Sequence, residues 1–172
     1  MSGDAPERQV TAEFADFFSH YADAIHHGKE EAMLFREMEK AGFQRLSGPL
    51  AVMLFEHGQG REAVGALAGL GRGSGISEAG EKQRLRDVAR DYHELLQNHI
   101  LKEDRILYPL AMKTIPEKAM ALLDAEAEAF DANTRASGEL DRLTRLGHEL
   151  VIRHPVKCAT VANWTCNILC HA

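Results

Sequence analysis

The chain has 172 residues, of which 45% are apolar, and its formal net charge is −6. This length suits one domain, or one domain with an extension, and the apolar fraction is too high for a disordered chain. The negative charge argues against nucleic acid or an anionic membrane surface as the main partner. No run of about 18 apolar residues is present, so no transmembrane helix is expected. The first ten residues are polar and lack the apolar core of a signal peptide, which predicts a cytoplasmic protein.

Helical periodicity runs through almost the whole sequence and predicts four helical stretches. In chain order these cover about 11–41, from Ser47 to a glycine-rich loop at 69–80, about 78–112, and about 117–153 with a break in ASGEL. Gly42 is predicted to end the first helix. Strand alternation and hairpin signals are absent from the sequence, so it predicts an all-α, up-down helical bundle.

Pro116 follows the third stretch and divides the sequence. We expect the bundle domain to cover 1–116, with a C-terminal helical extension and an irregular tail over 117–172. The tail carries the three cysteines, Cys158, Cys166 and Cys170. Their odd number predicts no disulfide framework, and without a C-x-x-C spacing a thiolate metal site is not favoured.

A ten-residue pattern, H-x-x-K-E-[ED]-x-[MI]-L-[FY], occurs twice in the sequence. The copies are His26–Phe35 and His99–Tyr108, at a constant offset of 73 residues. In each copy a histidine and a glutamate are four residues apart, so both side chains share one helix face. Those faces continue the apolar stripes and are predicted to point into the bundle. In the third helix the residues predicted to face inward are Val88, Tyr92, Leu95, Leu96, His99, Ile106 and Leu110.

Buried carboxylates need a compensating positive charge, because an unpaired one is costly to bury. No arginine or lysine lies obviously on these stripes, so a metal ion is the simplest compensation. His57, on the apolar side of the second helix, adds an imidazole from another wall. Imidazole and carboxylate without thiolate suit iron, manganese or zinc, and two carboxylates can bridge two ions in a helical bundle. The candidate ligands are His26, Glu30, His57, His99 and Glu103.

Each feature has a simpler explanation when it is taken alone. One His-x-x-x-Glu pair is typical of an exposed ion pair, and a lone His57 is more often a hydrogen-bonded core residue. Two like pairs together with His57 favour the metal site. Asp23 and His27 are also four apart and are predicted to form a solvated pair. Tyr108 is predicted to pack as an aromatic residue, with a hydrogen bond to a ligand side chain as the alternative.

At these residues the sequence resembles the hemerythrin-like family of HHE cation-binding domains. The matching motifs are HHGKEEAMLF, PLAVMLFEHGQGR and NHILKEDRILYP, in family order within 12–112. The resemblance implies a four-helix bundle around a non-haem di-iron centre, held by histidines and two bridging carboxylates. Carried over by motif, the ligands are the five candidates above. His27 and Glu31 offer a second register, and the internal repeat favours His26 and Glu30.

The resemblance also implies an earlier helix that carries a first histidine ligand, and Met1 falls where the linker after that helix would lie. Three explanations stay open. The first is that the protein starts upstream of this sequence, the second that the 117–153 stretch fills the gap with His148 or His154, and the third that a homodimer partner completes the bundle. The first is favoured because the remaining motifs are intact.

The function that the resemblance implies is a di-iron protein that binds or senses O2, or responds to iron or redox state. Its partner would be O2, another small diatomic molecule or a peroxide, and it would be a binding protein rather than an enzyme. A carboxylate-bridged oxidase or peroxidase-like enzyme is the first alternative. The order His-x-x-x-Glu, rather than the Glu-x-x-His of ferritin-like enzymes, weakens it. A metal-free helical scaffold is the second alternative.

Overall fold

The computed structural model describes residues 4–73 and 78–155, and this part of the chain forms five helices and no strand. The prediction of an all-α bundle is therefore confirmed. The helices are α1 (4–40), α2 (Gly48–Arg72), α3 (78–114), α4 (Glu117–Ala136) and α5 (Glu139–Arg153). None of these helices is long and apolar enough to cross a membrane. The cysteine-containing tail lies outside the described residues.

The two helices that carry the repeated motif contain π-helical turns. In α1 the segments are Asp4–Phe17 (α), Phe18–His27 (π), Glu30–Leu34 (π) and Phe35–Lys40 (α); in α3 they are Glu78–Lys102 (α), Glu103–Leu107 (π) and Tyr108–Thr114 (α). A π turn is wider than an α turn and often occurs at a functional site. It changes which residues face inward: Leu107 is 1% exposed, whereas Ile106 is 50% exposed. The prediction that Ile106 faces inward was wrong because it assumed regular α-helical spacing.

Helix α1 begins earlier than predicted and ends where predicted. Its first turn contains Pro6, which is tolerated there because the first backbone N–H groups of a helix have no partner within it. Thr11, at the predicted start of this helix, is instead buried within it. At the other end Gly42 has a φ of 102°, and the backbone N–H of Phe43 donates to the Met38 carbonyl at 3.1 Å. This hydrogen bond is typical of a helix that ends at a glycine with a left-handed backbone conformation.

The other helix boundaries follow the sequence with one difference. Helix α2 continues to Arg72, into the glycine-rich stretch that was predicted as a loop. The predicted break in ASGEL is confirmed, because Gly138 has a φ of 78° between α4 and α5. The turn at Gly138 joins α4 to α5, so the two helices follow one another along the bundle.

Helices α4 and α5 pack against α1 and form the fourth wall. Leu123 of α4 is in the main apolar cluster, and Leu143 of α5 packs in a smaller cluster around Ile25 of α1. The buried Nζ of Lys29 in α1 donates to Oδ1 of Asp131 in α4 at 2.9 Å. The domain boundary at residue 116 stays a prediction; residues beyond it contribute to the core.

The larger apolar clusters occupy opposite ends of the antiparallel helices α1, α2 and α3. The main cluster consists of Met33, Leu34, Phe35, Met38, Leu50, Met53, Leu107, Tyr108, Ala111, Ile115, Leu123 and Ala127. The other contains Ala15, Val64, Leu67 and Tyr92. Along each of the three helices the motif histidines lie between these two groups, so the fold places them in a layer across the middle of the interior.

Gly71 marks a close approach of α2 to α1, since a Cβ there would lie 2.9 Å from the backbone nitrogen of Ala12. Gly71→Ala is expected to lower the free energy of unfolding, although alanine has the better helix propensity by about 1 kcal/mol. The contact is to backbone, which can yield only if the two helices separate. Gly69→Ala is the control: its Cβ meets nothing within 4 Å, so it should be neutral or stabilising by up to about 1 kcal/mol. Urea unfolding compares the two variants, and equal stabilities would contradict the close approach.

Candidate metal site

Four of the five predicted ligands meet in the middle of the bundle with their donor atoms within 4.8 Å of one another. They are Glu30 of α1, His57 of α2, and His99 and Glu103 of α3, and all are buried. His57 Nε2 lies 3.3 Å from Glu30 Oε2. His99 Nε2 lies 3.0 Å from Glu103 Oε1. Three helices thus bring two imidazoles and two carboxylates into one cluster.

The facing atoms of this cluster have no hydrogen-bond partner among the residues that the structure describes. Glu30 Oε2, His57 Nε2, His99 Nε2 and Glu103 Oε1 are shielded from solvent, and their short contacts lack hydrogen-bond geometry. Buried polar groups nearly always have a partner, and leaving one without costs about 1–3 kcal/mol. A cation bound through the free lone pairs would satisfy all four atoms at once. The residues therefore fit a metal ion better than they fit a hydrogen-bonded core.

His26, the fifth predicted ligand, lies at the edge of the cluster. Its Nε2 is 3.4 Å from Glu103 Oε1 and 4.0 Å from Glu30 Oε2, and its side chain is 19% exposed. Burial works to raise the pKa of Glu103, but the nearby imidazoles of His26 and His99 hold it well below its ordinary value. Glu103 is therefore an anion at neutral pH, as a metal-binding carboxylate must be.

His27, which the sequence placed in a solvated pair with Asp23, is buried in the site. Its ring stacks on that of His57, with centroids 3.8 Å apart, and one of its nitrogens is within 4.8 Å of the donor atoms of His57 and His99. Burial and then the neighbouring imidazoles lower the pKa of His27 to about 3. The ring is therefore neutral at neutral pH. The predicted pair of Asp23 and His27 forms, but the expectation that it is solvated was wrong, because the wide turn of Phe18–His27 brings His27 to the inner face.

The three inner histidines each have a carboxylate at the outer ring nitrogen. The contacts are His57 Nδ1 to Glu31 Oε1 at 2.7 Å, His99 Nδ1 to Glu56 Oε2 at 3.0 Å, and His27 Nδ1 to Asp23 Oδ1 at 3.3 Å. Because an ionised carboxylate only accepts hydrogen bonds, Nδ1 is the protonated nitrogen of each ring. In the neutral ring Nε2 then keeps its lone pair, which is the arrangement usual for metal-ligating histidines.

Two cations hold these outer carboxylates in place. Arg61 of α2 donates to Glu31 Oε1 at 2.7 Å and to Asp23 Oδ1 at 2.8 Å. Lys102 of α3 donates to Glu56. Burial works to raise the pKa of Glu31, but the hydrogen bonds from Arg61 and His57 hold it below its ordinary value. The expectation that no arginine or lysine lies on the stripes thus holds for the inner carboxylates, while the outer ones have cationic partners.

Sequence reasoning did not assign the outer residues this supporting role, although the spacing of three of them carries a signal. Arg61 comes four residues after His57, Lys102 three residues after His99, and Asp23 four residues before His27. Each is therefore one helical turn from a histidine.

Tyr108 has both of the roles considered for it. Its ring is part of the main apolar cluster, and its hydroxyl donates to Glu30 Oε1 at 2.8 Å. One oxygen of Glu30 is thereby fixed, and the other faces His57.

A cavity of about 160 Å³ lies between α1, α2 and α3 and reaches one side of the cluster. Its walls are mostly apolar, and Asp23, His27, Arg61 and Tyr92 are among the residues that line it. It is smaller than a site for a drug-sized ligand but has room for a molecule of a few atoms.

The fourth wall contributes packing to this region, but neither of its candidate histidines joins the cluster. His148 and His154 are exposed, and the ring of His154 lies against Phe14. Neither is in the groups of potential ligands found among the described residues.

The family model of the hemerythrin HHE cation binding domain matches residues 2–111. The match contains the five predicted ligands, His27, and the outer carboxylates with their cations. No curated protein and no solved structure has a significant match to the chain.

Proposed function

Because the chain belongs to the hemerythrin HHE cation binding domain family, we propose that its inner cluster holds a non-haem di-iron centre and that the protein binds or senses O2. The observation that supports this proposal is the set of four buried donor atoms without a hydrogen-bond partner. Their chemistry, imidazole with carboxylate and no thiolate, suits iron. When bound, such a centre supplies an open iron position for a small ligand.

Five side chains from three helices would hold the ions: the carboxylates of Glu30 and Glu103 and the imidazoles of His26, His57 and His99. Tyr108 holds Glu30 in orientation through its hydroxyl. The outer carboxylates keep the histidine Nε2 atoms directed inward, and the flanking apolar clusters keep bulk water away from the site.

The proposal is tested by loading the protein with Fe(II) without oxygen, removing excess metal, and then admitting air. We expect about two irons per chain, with near-ultraviolet absorption bands appearing on oxidation. Loading should also raise the melting temperature, because a ligand that binds only the folded state stabilises it, by about 4 kcal/mol at a free metal concentration of 1,000 Kd. No bound iron and an unchanged melting temperature would contradict the proposal and support the metal-free scaffold.

The same preparation separates a carrier or sensor from an enzyme. A carrier or sensor should consume no more than about one peroxide per iron pair, whereas a peroxidase-like enzyme would continue to consume hydrogen peroxide. Loading in parallel with Mn(II) and Zn(II) tests the choice of metal. The cytoplasmic location and the homodimer stay predictions.

A further inference from the structure

We propose that His27 is a further metal ligand, which adds a third inward imidazole to those of His57 and His99. This inference rests on the proposed function and extends its ligand set from five side chains to six. The two groups of donors overlap: one contains His27, His57 and His99, and the other contains Glu30, His57, His99 and Glu103. The site thus has a nitrogen-rich side and a carboxylate-rich side.

The five predicted ligands offer few donor atoms for two ions. Nδ1 of His57 and of His99 is bonded to a carboxylate, so each ring has only Nε2 to offer and can bind one ion. Two ions that share those two rings, His26 and two carboxylates are thinly ligated. His27 is the nearest additional imidazole, and it is buried within reach of both rings.

His27 is held in the same way as His57 and His99. A carboxylate accepts from its Nδ1, as Glu31 does for His57 and Glu56 does for His99. Arg61 donates to Asp23 and to Glu31, so one guanidinium orients the partners of both His27 and His57. A histidine that only packed against its neighbour would not need this arrangement, which is the one usual for metal-binding histidines.

His27 also lies in the wall of the cavity of about 160 Å³. The cavity gives a molecule of a few atoms access to the nitrogen-rich side of the site. It also makes a ligand role testable, because the space left by a truncated His27 would be continuous with a cavity that can admit imidazole.

The test compares His27→Ala with His20→Ala in the full chain. His20 is an exposed histidine of α1 that lies outside the site, so its variant should load iron as the wild-type protein does. We expect His27→Ala to weaken Fe(II) binding by at least about 100-fold, the upper end of the loss caused by removing a partner outside the ligands. X-ray absorption at the iron edge should show one imidazole fewer per chain, and added imidazole should restore binding.

A second variant guards against a folding defect. His27→Gln keeps a side-chain N–H that can donate to Asp23, and circular dichroism of the metal-free protein checks its helices. Unchanged affinity and imidazole count in both His27 variants would overturn the inference and leave His27 as a packing partner of His57. If the wild-type protein itself binds no iron, the proposed function fails together with this inference. Iron binding by the wild type and the His27 variants alike overturns the inference alone.

Discussion

Glu30→Gln combined with Glu103→Gln is expected to abolish iron loading while the bundle stays folded. Glu30 faces His57 of α2 and Glu103 faces His99 of its own helix, and one oxygen of each carboxylate has no hydrogen-bond partner among the described residues. Glutamine has nearly the same shape but no charge, so it cannot neutralise or bridge two cations. We expect the iron content to fall from about two per chain to below about 0.2, measured after anaerobic loading and gel filtration.

The matched control for this variant is Glu37→Gln. Glu37 lies on the same helix seven residues after Glu30, is also buried, and pairs with Arg36 and Lys40 rather than with a histidine. Its variant should retain full iron content. Circular dichroism of the metal-free proteins checks that all variants are folded. Normal iron loading by the Glu30 and Glu103 double variant would show that the two carboxylates are not ligands.

Phe35→Ala is expected to lower the free energy of unfolding by about 3–5 kcal/mol, the usual cost of truncating a buried phenylalanine. Phe35 is fully buried in the main apolar cluster. Its ring also lies parallel to that of His57, with centroids 5.9 Å apart. The cavity left by the ring would therefore be bounded by the apolar core on one side and by a candidate ligand on the other. Urea unfolding with a chelator present measures the effect without a contribution from metal.

Phe55→Ala is the comparison for Phe35→Ala. Phe55 is on α2 and is 67% exposed, so its truncation should change the free energy of unfolding by no more than about 0.5 kcal/mol. Similar losses from the two variants would mean that the main cluster does not pack as described. A loss of iron affinity in Phe35→Ala, beyond its effect on stability, is also expected because His57 loses a neighbour that fixes its ring.

The helices and most of the inner site could be predicted because their signals are local. Histidine and glutamate four residues apart share a face of any helix. Gly42 and Gly138 each end a helix because a single glycine readily adopts a positive φ. The internal repeat then pointed to Glu30, His99 and Glu103, which the structure brings together with His57.

The positions of His27 and Ile106 could not be predicted because they depend on helix geometry rather than on residue type. Regular α-helical spacing places His27 with Asp23 toward solvent and Ile106 toward the core. The π turns of Phe18–His27 and Glu103–Leu107 change both. The links from Arg61 to Asp23 and from Lys102 to Glu56 join different helices, so no spacing within one helix specifies them.

In the π-helical turns, regular α-helical hydrogen bonding of the backbone is given up for a particular arrangement of the site residues. A turn whose hydrogen bonds reach back five residues instead of four holds one residue more than an α turn. Deleting one residue within Glu30–Leu34 or Glu103–Leu107 would remove that extra residue and restore α-helical bonding, while the helix beyond the deletion kept its register. Leu34 or Leu107, the last residue of the turn, would stay on the core side, and the change would be confined to the turn itself, which begins with a candidate ligand. Selection for helix stability alone would favour such deletions, so each of these π-helical turns is expected to persist only while the site that it shapes is needed.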